Sequence, residues 1–598
     1  MNIKTSWDLS VLEKDINKRE KVKEETCKFI NKWKDRNDYL SKPKILKEAL
    51  DEYEQLNKTT FGQGEEGRGS AEDYYFWLKK QQDQNDPKIK AGFKNVEHFS
   101  KKISHNLMFF MHNLAHVPKP KQKDFLQSKE LEKYHHFLER QFEKAKHLLS
   151  IEEEKILSLK AGPAADNWEN MVSGFISKSE KEILTEENKT ETKAFSDIMG
   201  LMNSQQKKVR DTASKAFNEI IKENLEVAEA EINSLLENKK IDDELRKFPK
   251  PESERLLVDD IAPEVVDALI EAVTEKFEVS KRYYALKAKL FGVKKLQYHE
   301  RNVPYGKAEK NYAFEDSVKL VDTTFQHLDK KFSKILNAFL ENGQVDVYPK
   351  KGKREGAFCV YWLISHPTFV MMNHTNKTDD VRTLAHEFGH AINNELIKEK
   401  QLSLYYGTPT STAEVASTFM EDFVFSRILQ EAEPELKLAL MMQKLNDDVS
   451  SIMRQIACYK FERELHDTFR KKNYLSKEDL GALFQKHMES YMGTAVEQSP
   501  GAENWWVYWG HIRMMFYVYS YASGLLISKA LQKKFRENPK FIEKVKEFLS
   551  TGLAESPKNI FSKLGIDITK KEFWVSGLKE TEDLLNETEA LAKKLGKI

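Results

Sequence analysis

The sequence predicts a mainly α protein with one small β element, and three observations carry that prediction. Glycine (24) and proline (16) are scarce for 598 residues, and scarce helix breakers favour long helices over a turn-rich β architecture. Apolar residues recur at three- and four-residue steps through most of the chain, the period of an amphipathic helix. The best strands sit in one place, 358–364 (FCVYWLI) and 368–373 (TFVMMN). These short β-branched and aromatic runs, separated by Ser365-His366-Pro367, read as a hairpin.

Residues 21–33 and 43–56 read as the first helices. The stretch 61–70, FGQGEEGRGS, contains Gly62-x-Gly64-x-x-Gly67, formally a dinucleotide fingerprint. That fingerprint needs a buried strand before it and a helix opening at its glycines. A charged helical segment precedes it here, so a flexible loop is expected instead. Residues 71–160 are helical, interrupted at Asp86-Pro87 and Val117-Pro118. Ser150 with Glu153 predicts a capping box, and Gly162-Pro163 predicts the end of that helix. A helix from 167 and a polar passage with a short hairpin lead to a boundary near 195. That boundary divides an N-terminal helical domain, 1–195, from a second domain, 196–598. Helices at 194–237, 263–290 and 316–341 follow, with a loop of three prolines at 247–263. After the hairpin come helices at 378–400, 412–430, 437–471 and 476–491, a glycine- and aromatic-rich segment at 493–524, and charged helices to the end.

Composition excludes several function classes. Lys plus Arg (96) almost equals Asp plus Glu (95), so the chain has no overall field for nucleic acid or an anionic membrane. The basic run PKPKQK at 118–123 reads as a solvated loop. Three cysteines, Cys27, Cys359 and Cys458, have no CxxC partner, which argues against a disulfide framework or a thiolate zinc site and suits a reducing cytosol. The start, MNIKTSWDLS, lacks the apolar core of a signal peptide, and no apolar run is long enough to span a bilayer. A cytoplasmic protein is the expectation, and the oligomeric state is left open.

The chemistry is concentrated at 378–390, TDDVRTLAHEFGH. His386 and His390 lie four residues apart, one above the other on a helical face. Two imidazoles so placed can grip one metal ion, and Glu387 beside the first can reach a water on that metal, the HExxH arrangement of zinc hydrolases. A catalytic zinc takes a third protein ligand and keeps a position for water. Glu414 is the candidate, 24 residues after His390 in TAEVASTFMED. Positions 414, 417, 418 and 421 (Glu, Ser, Thr, Glu) share a face of the next helix. Metal ligation by Glu414, with Ser417 and Glu421 orienting the ligands, explains that polar face; an ordinary solvated face is the alternative. The hairpin just before the motif could hold an extended peptide along a strand edge. His366 and His374 lie near but exceed the ligand count, so they read as substrate-side or structural.

HEFGH followed at this spacing by AEVAST resembles the thimet oligopeptidase and oligoendopeptidase F family of zinc metallopeptidases, most closely oligoendopeptidase F. The opening Trp7-Asp8-Leu9-Ser10, the lead-in Asp379-Asp380-Val381 to the metal helix, Gly356-Ala357-Phe358-Cys359 and the late cluster 516–522 (FYVYSYA) are similar too. The resemblance implies an elongated helical body with a deep channel, one Zn2+ per chain on the channel floor, and cleavage of internal bonds in short peptides. It implies substrate contacts at Gly356, Ala357 and Phe358. It also implies oxyanion donors at His511 and Tyr521, with Tyr517 and Tyr519 as alternates. Gly493, Gly501 and Gly510 bracket that segment, either as hinges of a mobile lid or as ordinary helix ends. Competing readings are a zinc carboxypeptidase of the Taq type, a non-catalytic peptide-binding protein and a helical scaffold.

Overall fold

A computed structural model describes residues 3–64, 67–307 and 310–598. The chain is 72% helical, and its sheets are small: three of two strands and one of three among the described residues. Among those residues no helix is long and apolar enough to cross a membrane.

The chain divides into two compact units, each assembled from three stretches. The first comprises 1–146, 309–430 and 534–565, the second 147–308, 431–533 and 566–598. The boundary expected near 195 falls inside the second unit, where the strand Thr190–Ala194 runs into the helix Phe195–Leu201.

In the first unit, helices Arg19–Trp33, Pro43–Thr59 and Pro87–Ala115 enclose an aromatic core. Phe110 sits 4.9 Å from Tyr53 and 5.2 Å from Phe29, ring centre to ring centre. A second core joins the N-terminus to the sheet: Trp7 packs edge-on to Phe369 and donates its indole N–H to Val370 O at 2.8 Å. The expected loop at 61–70 is in fact a hairpin, Gly62–Gly64 paired antiparallel with Gly67–Gly69. Gly62 and Gly69 answer to packing. A Cβ on Gly62 would lie 2.6 Å from a Leu363 methyl, and one on Gly69 2.9 Å from the Trp362 indole nitrogen.

The strands expected at 358–364 and 368–373 form as Phe358–Val360 and Phe369–Met371, paired antiparallel. A third strand, Val345–Asp346, adds in parallel on the far side of Phe369–Met371, leaving Phe358–Val360 as an edge. At two residues it is too short to give an alternating sequence signal. The 23-residue helix Thr378–Lys400 follows. Asp380 caps it, its Oδ2 accepting from the N–H groups of Thr375 and Lys377 at 2.7 and 2.9 Å. The helix is buried along most of its length, among helices Phe314–Leu328 and Lys330–Asn342 and the sheet.

The second unit is built on helices including Lys207–Glu223, Leu225–Arg246, Arg454–Lys472 and Lys477–Met492. The capping box at Ser150 forms as expected. Gly162-Pro163 does not end the helix, however. A wide turn, Gly162–Asp166, carries the chain directly into Asn167–Ser177, and the Asn167 N–H reaches back five residues to Gly162 O. The widened ladder tolerates Pro163, which has no N–H to contribute. The three-proline loop likewise contains a short helix, Ser253–Val258.

Candidate metal centre

Among the described residues, two groups of His and carboxylate side chains bring donor atoms within 4.8 Å of one another: His386, His390 and Glu414, and Asp211, His299 and Glu300. Their surroundings separate them. Arg210 donates from Nε and Nη2 to Glu300 Oε1 at 3.0 and 2.8 Å, and Lys207 pairs with Asp211 at 2.7 Å. His299 Nε2 meets Asp211 Oδ1 at 3.0 Å. Two cations already neutralise these carboxylates, so this group is an ion-pair network.

The first group is built for a cation. Helix Thr378–Lys400 presents His386 and His390, and Glu414 lies just ahead of helix Val415–Glu431. Glu414 Oε2 lies 3.3 Å from His386 Nε2 and 3.5 Å from His390 Nε2. The other ring nitrogen of His386 is already committed, Nδ1 lying 3.1 Å from Glu421 Oε2. That contact makes Nδ1 the donor and turns the Nε2 lone pair toward Glu414 and His390. Arg382 holds Glu421 in turn, donating from Nε and Nη2 to Oε1 at 3.0 and 2.7 Å. Ser417 Oγ donates to Glu414 Oε2 at 2.7 Å. Of the two orienting residues expected, Glu421 acts on an imidazole and Ser417 on the carboxylate. Two imidazoles and a carboxylate, converging and held from behind, fit zinc, whose catalytic sites take three protein ligands.

Gly389, inside the motif, makes this approach possible, and ligand arithmetic on the sequence overlooks it. A Cβ there would lie 2.4 Å from Ser417 Cα and 2.6 Å from Ala416 O. The segments carrying His386, His390 and Glu414 therefore meet backbone to backbone. Glu387 is 7% exposed, and burial raises its carboxyl above the ordinary range while the neighbouring imidazoles pull it back. It lies on the same turn as His386.

Gly356, Ala357 and Phe358 lie in this same unit at the edge strand. Gly356 has a φ of +80° with open space at its α-carbon, and its carbonyl accepts from Asn373 Nδ2 at 2.8 Å. The Phe358 ring faces away from any strand-edge ligand, packed 5.4 Å from Trp77 and 6.3 Å from Trp7. Its contribution to such an edge is therefore backbone. His366 and His374 are structural. The first is paired with Asp15 at 3.1 Å; the second is buried and bonded to Ser317 Oγ at 3.1 Å.

His511 and the three tyrosines belong to the second unit. His511 Nε2 and Tyr521 Oη are 2.9 Å apart. Met515 and Phe516, with φ of 42° and 58°, reverse the chain between them. Arg255 holds that reversal through Met514 O and Met515 O, and Phe516 N–H donates to the buried Glu462 at 2.7 Å. Two consecutive left-handed non-glycine residues are a costly conformation, and nothing in RMMFYVY signals them. Tyr517 lies edge-on to Tyr521 at 5.5 Å beneath the Arg255 guanidinium. Tyr519 is fully buried and donates to Asp259 Oδ2 at 2.8 Å. Gly493 and Gly501 take left-handed φ of 67° and 92° at a helix end and ahead of a short 3-10 turn, and Gly510 opens another such turn. Their backbones answer to the helix-end reading.

Comparison with known proteins adds to this geometry. Residues 200–580 match the family described as Peptidase family M3, and residues 113–172 match Oligopeptidase F. The chain is 24% identical over 527 residues to the oligoendopeptidase F homolog of Lactococcus lactis subsp. lactis, covering 87% of each. Its fold is similar to a solved Chlamydophila abortus protein (TM-score 0.84, 20% identity, 98% of each chain). It is also similar in fold to oligoendopeptidase-F from Enterococcus faecium (TM-score 0.70, 19% identity, 97% of this chain and 99% of that one).

Proposed function

Because this chain belongs to peptidase family M3 and is a metallo-oligopeptidase, we propose that it is a zinc-dependent oligoendopeptidase, with His386, His390 and Glu414 as ligands of one zinc and Glu387 as proton carrier. The observation that carries the proposal is the convergence of three donors, with His386 Nδ1 tied to Glu421 and Glu387 on the same helical turn. Zinc bound by these residues supplies Lewis acidity toward water and the scissile carbonyl.

The remaining steps belong to side chains. Glu387 takes a proton from the attacking water onto a carboxylate oxygen and later delivers it to the leaving amine nitrogen. Its burial suits that exchange, since a raised carboxyl holds the proton long enough to hand it on. The edge strand Phe358–Val360 aligns the peptide by main-chain hydrogen bonds, with Gly356 and Ala357 at its approach. His511 and Tyr521 donate hydrogen bonds to the oxyanion. Tyr517 lines Tyr521, and Tyr519 commits its O–H to Asp259, which leaves Tyr521 as the favoured oxyanion donor. The three cysteines, free as thiols, are in keeping with a cytoplasmic enzyme.

The test is mass spectrometry of products from a mixed pool of short peptides, some with blocked C-termini, run with wild type and Glu387→Gln. Internal cleavage of blocked peptides by wild type, lost in the variant, is expected. Release of single C-terminal residues alone, with blocked peptides intact, would mean a carboxypeptidase.

A further inference from the structure

We propose that Trp509 is a positioning residue that sets the tautomer of His511 and thereby the direction of the hydrogen-bond chain through Tyr521. The inference rests on the reading of His511 and Tyr521 as oxyanion donors and adds to it a residue outside the reacting groups.

The geometry is direct. The Trp509 indole N–H donates to His511 Nδ1 at 3.0 Å. An indole nitrogen can only donate, so Nδ1 must carry a lone pair and no proton. A neutral imidazole then holds its proton on Nε2, and that atom lies 2.9 Å from Tyr521 Oη. The direction of the whole chain follows: indole N–H to Nδ1, then Nε2–H to the phenol oxygen. The phenol oxygen accepts, so its own proton is not spent on the imidazole.

The indole is well placed to impose this choice. Trp509 is 5% exposed, and the Arg454 guanidinium carbon stands 4.1 Å from its ring centre. Phe484 meets the same ring edge-on at 6.1 Å. A cation over an indole face anchors the ring and polarises its N–H. The same cation and the burial of the site both disfavour a charged imidazolium. An imidazolium would also set an N–H against the indole N–H. His511 is thus kept neutral, with one donor and that donor aimed at Tyr521.

Without the indole N–H, the two tautomers of His511 compete. The Nδ1–H form would turn Nε2 into an acceptor and draw the Tyr521 O–H toward the imidazole. Such a chain runs backwards for an oxyanion, since it directs the phenol proton away from the developing negative charge. Trp509→Phe removes the N–H and keeps an aromatic ring beneath Arg454.

The experiment uses the full-length protein, labelled with 15N at histidine side chains, with His511 assigned by the resonances lost in His511→Gln. In wild type, His511 is expected to give an unprotonated Nδ1 and a protonated Nε2; in Trp509→Phe both resonances should move toward the average of two tautomers. With a short peptide substrate, kcat of Trp509→Phe should fall about tenfold or more, with KM within roughly twofold of wild type. A wild-type His511 protonated on Nδ1 overturns the proposal, as does a tautomer unchanged by Trp509→Phe. The wild-type spectrum alone keeps the test decisive should the variant fail to fold. Failure of the underlying reading looks different: His511→Gln and Tyr521→Phe would then retain wild-type kcat whatever the tautomer.

Discussion

Gly389 lies so close to Ser417 that an added Cβ would stand 2.4 Å from the Ser417 α-carbon. This approach brings the helix carrying His386 and His390 against the segment carrying Glu414, the three proposed metal ligands. In an open helix Gly→Ala stabilises by about 1 kcal/mol. Here the obstacle is backbone, which cannot rotate aside, so the sign reverses. Gly389→Ala should cost about 1–3 kcal/mol as overpacking and move Glu414 off the imidazoles. Thermal denaturation and zinc content of the purified variant check both effects; a more stable, fully zinc-loaded variant would contradict the packing account.

Glu421 is the link between Arg382 and His386. Glu421→Gln keeps the size of the side chain but weakens the hold on Nδ1. Zinc affinity, measured by competition with a chelator, should drop roughly 10–100-fold. Arg382→Gln should shift it in the same direction by less, because Arg382 acts through Glu421. Equal affinity in wild type and Glu421→Gln would show that the tautomer of His386 is held by something else.

Glu387 stands beside the proposed ligands and is proposed to carry a proton instead of binding the metal. Glu387→Gln is therefore expected to keep wild-type zinc stoichiometry and lose about 10²–10⁴-fold in kcat. Elemental analysis and peptide turnover on the same sample separate the two roles. Loss of zinc in step with activity would make Glu387 a ligand or a structural group.

Glu462 provides a pH signature far from any metal ligand in sequence. Burial pushes its carboxyl up to about 8, and its Oε1 accepts from the strained Phe516 N–H. An unfolded glutamate titrates at about 4.3. Between these values the folded chain holds a proton that the unfolded chain has released, so the Glu462 contribution to stability is full below about pH 4 and is lost as pH rises through about 8. The melting temperature of wild type relative to Glu462→Gln should accordingly fall between pH 5 and pH 8. Parallel melting curves across that range would count against a raised carboxyl.

Much of this site was legible in the sequence because its spacing is local. His386, Glu387 and His390 share one helix, so a four-residue step places them. Glu414 stood out because a polar face interrupts an apolar helix, and Glu421 lay two turns along that face. The features that escaped depend on contacts across the fold. Gly389 looks like any helical glycine until Ser417 lies against it. The glycines at 62 and 69 read as a loop until residues 362–363 crowd them. The left-handed pair Met515 and Phe516 has no compositional marker, because Glu462 and Arg255 impose it from distant parts of the chain. The two-residue strand Val345–Asp346 and the unit boundaries were missed for a related reason: short pairings and discontinuous units leave no periodic trace.

Trp7 bonds to Val370, 363 residues further along the chain, and this separation constrains how the protein is made. Ribosomes add about 5–20 residues per second, so the N-terminal residues emerge well before their sheet exists. Trp7 and Trp77, both packed on Phe358 in the native state, must wait exposed for tens of seconds by that rate. Loop closure over such a span comes late. The WDLS opening is thus a latch applied only after the sheet at 358–371 has been synthesised. A chain interrupted before residue 370 would leave those indoles uncovered, as a target for chaperones or a seed for aggregation.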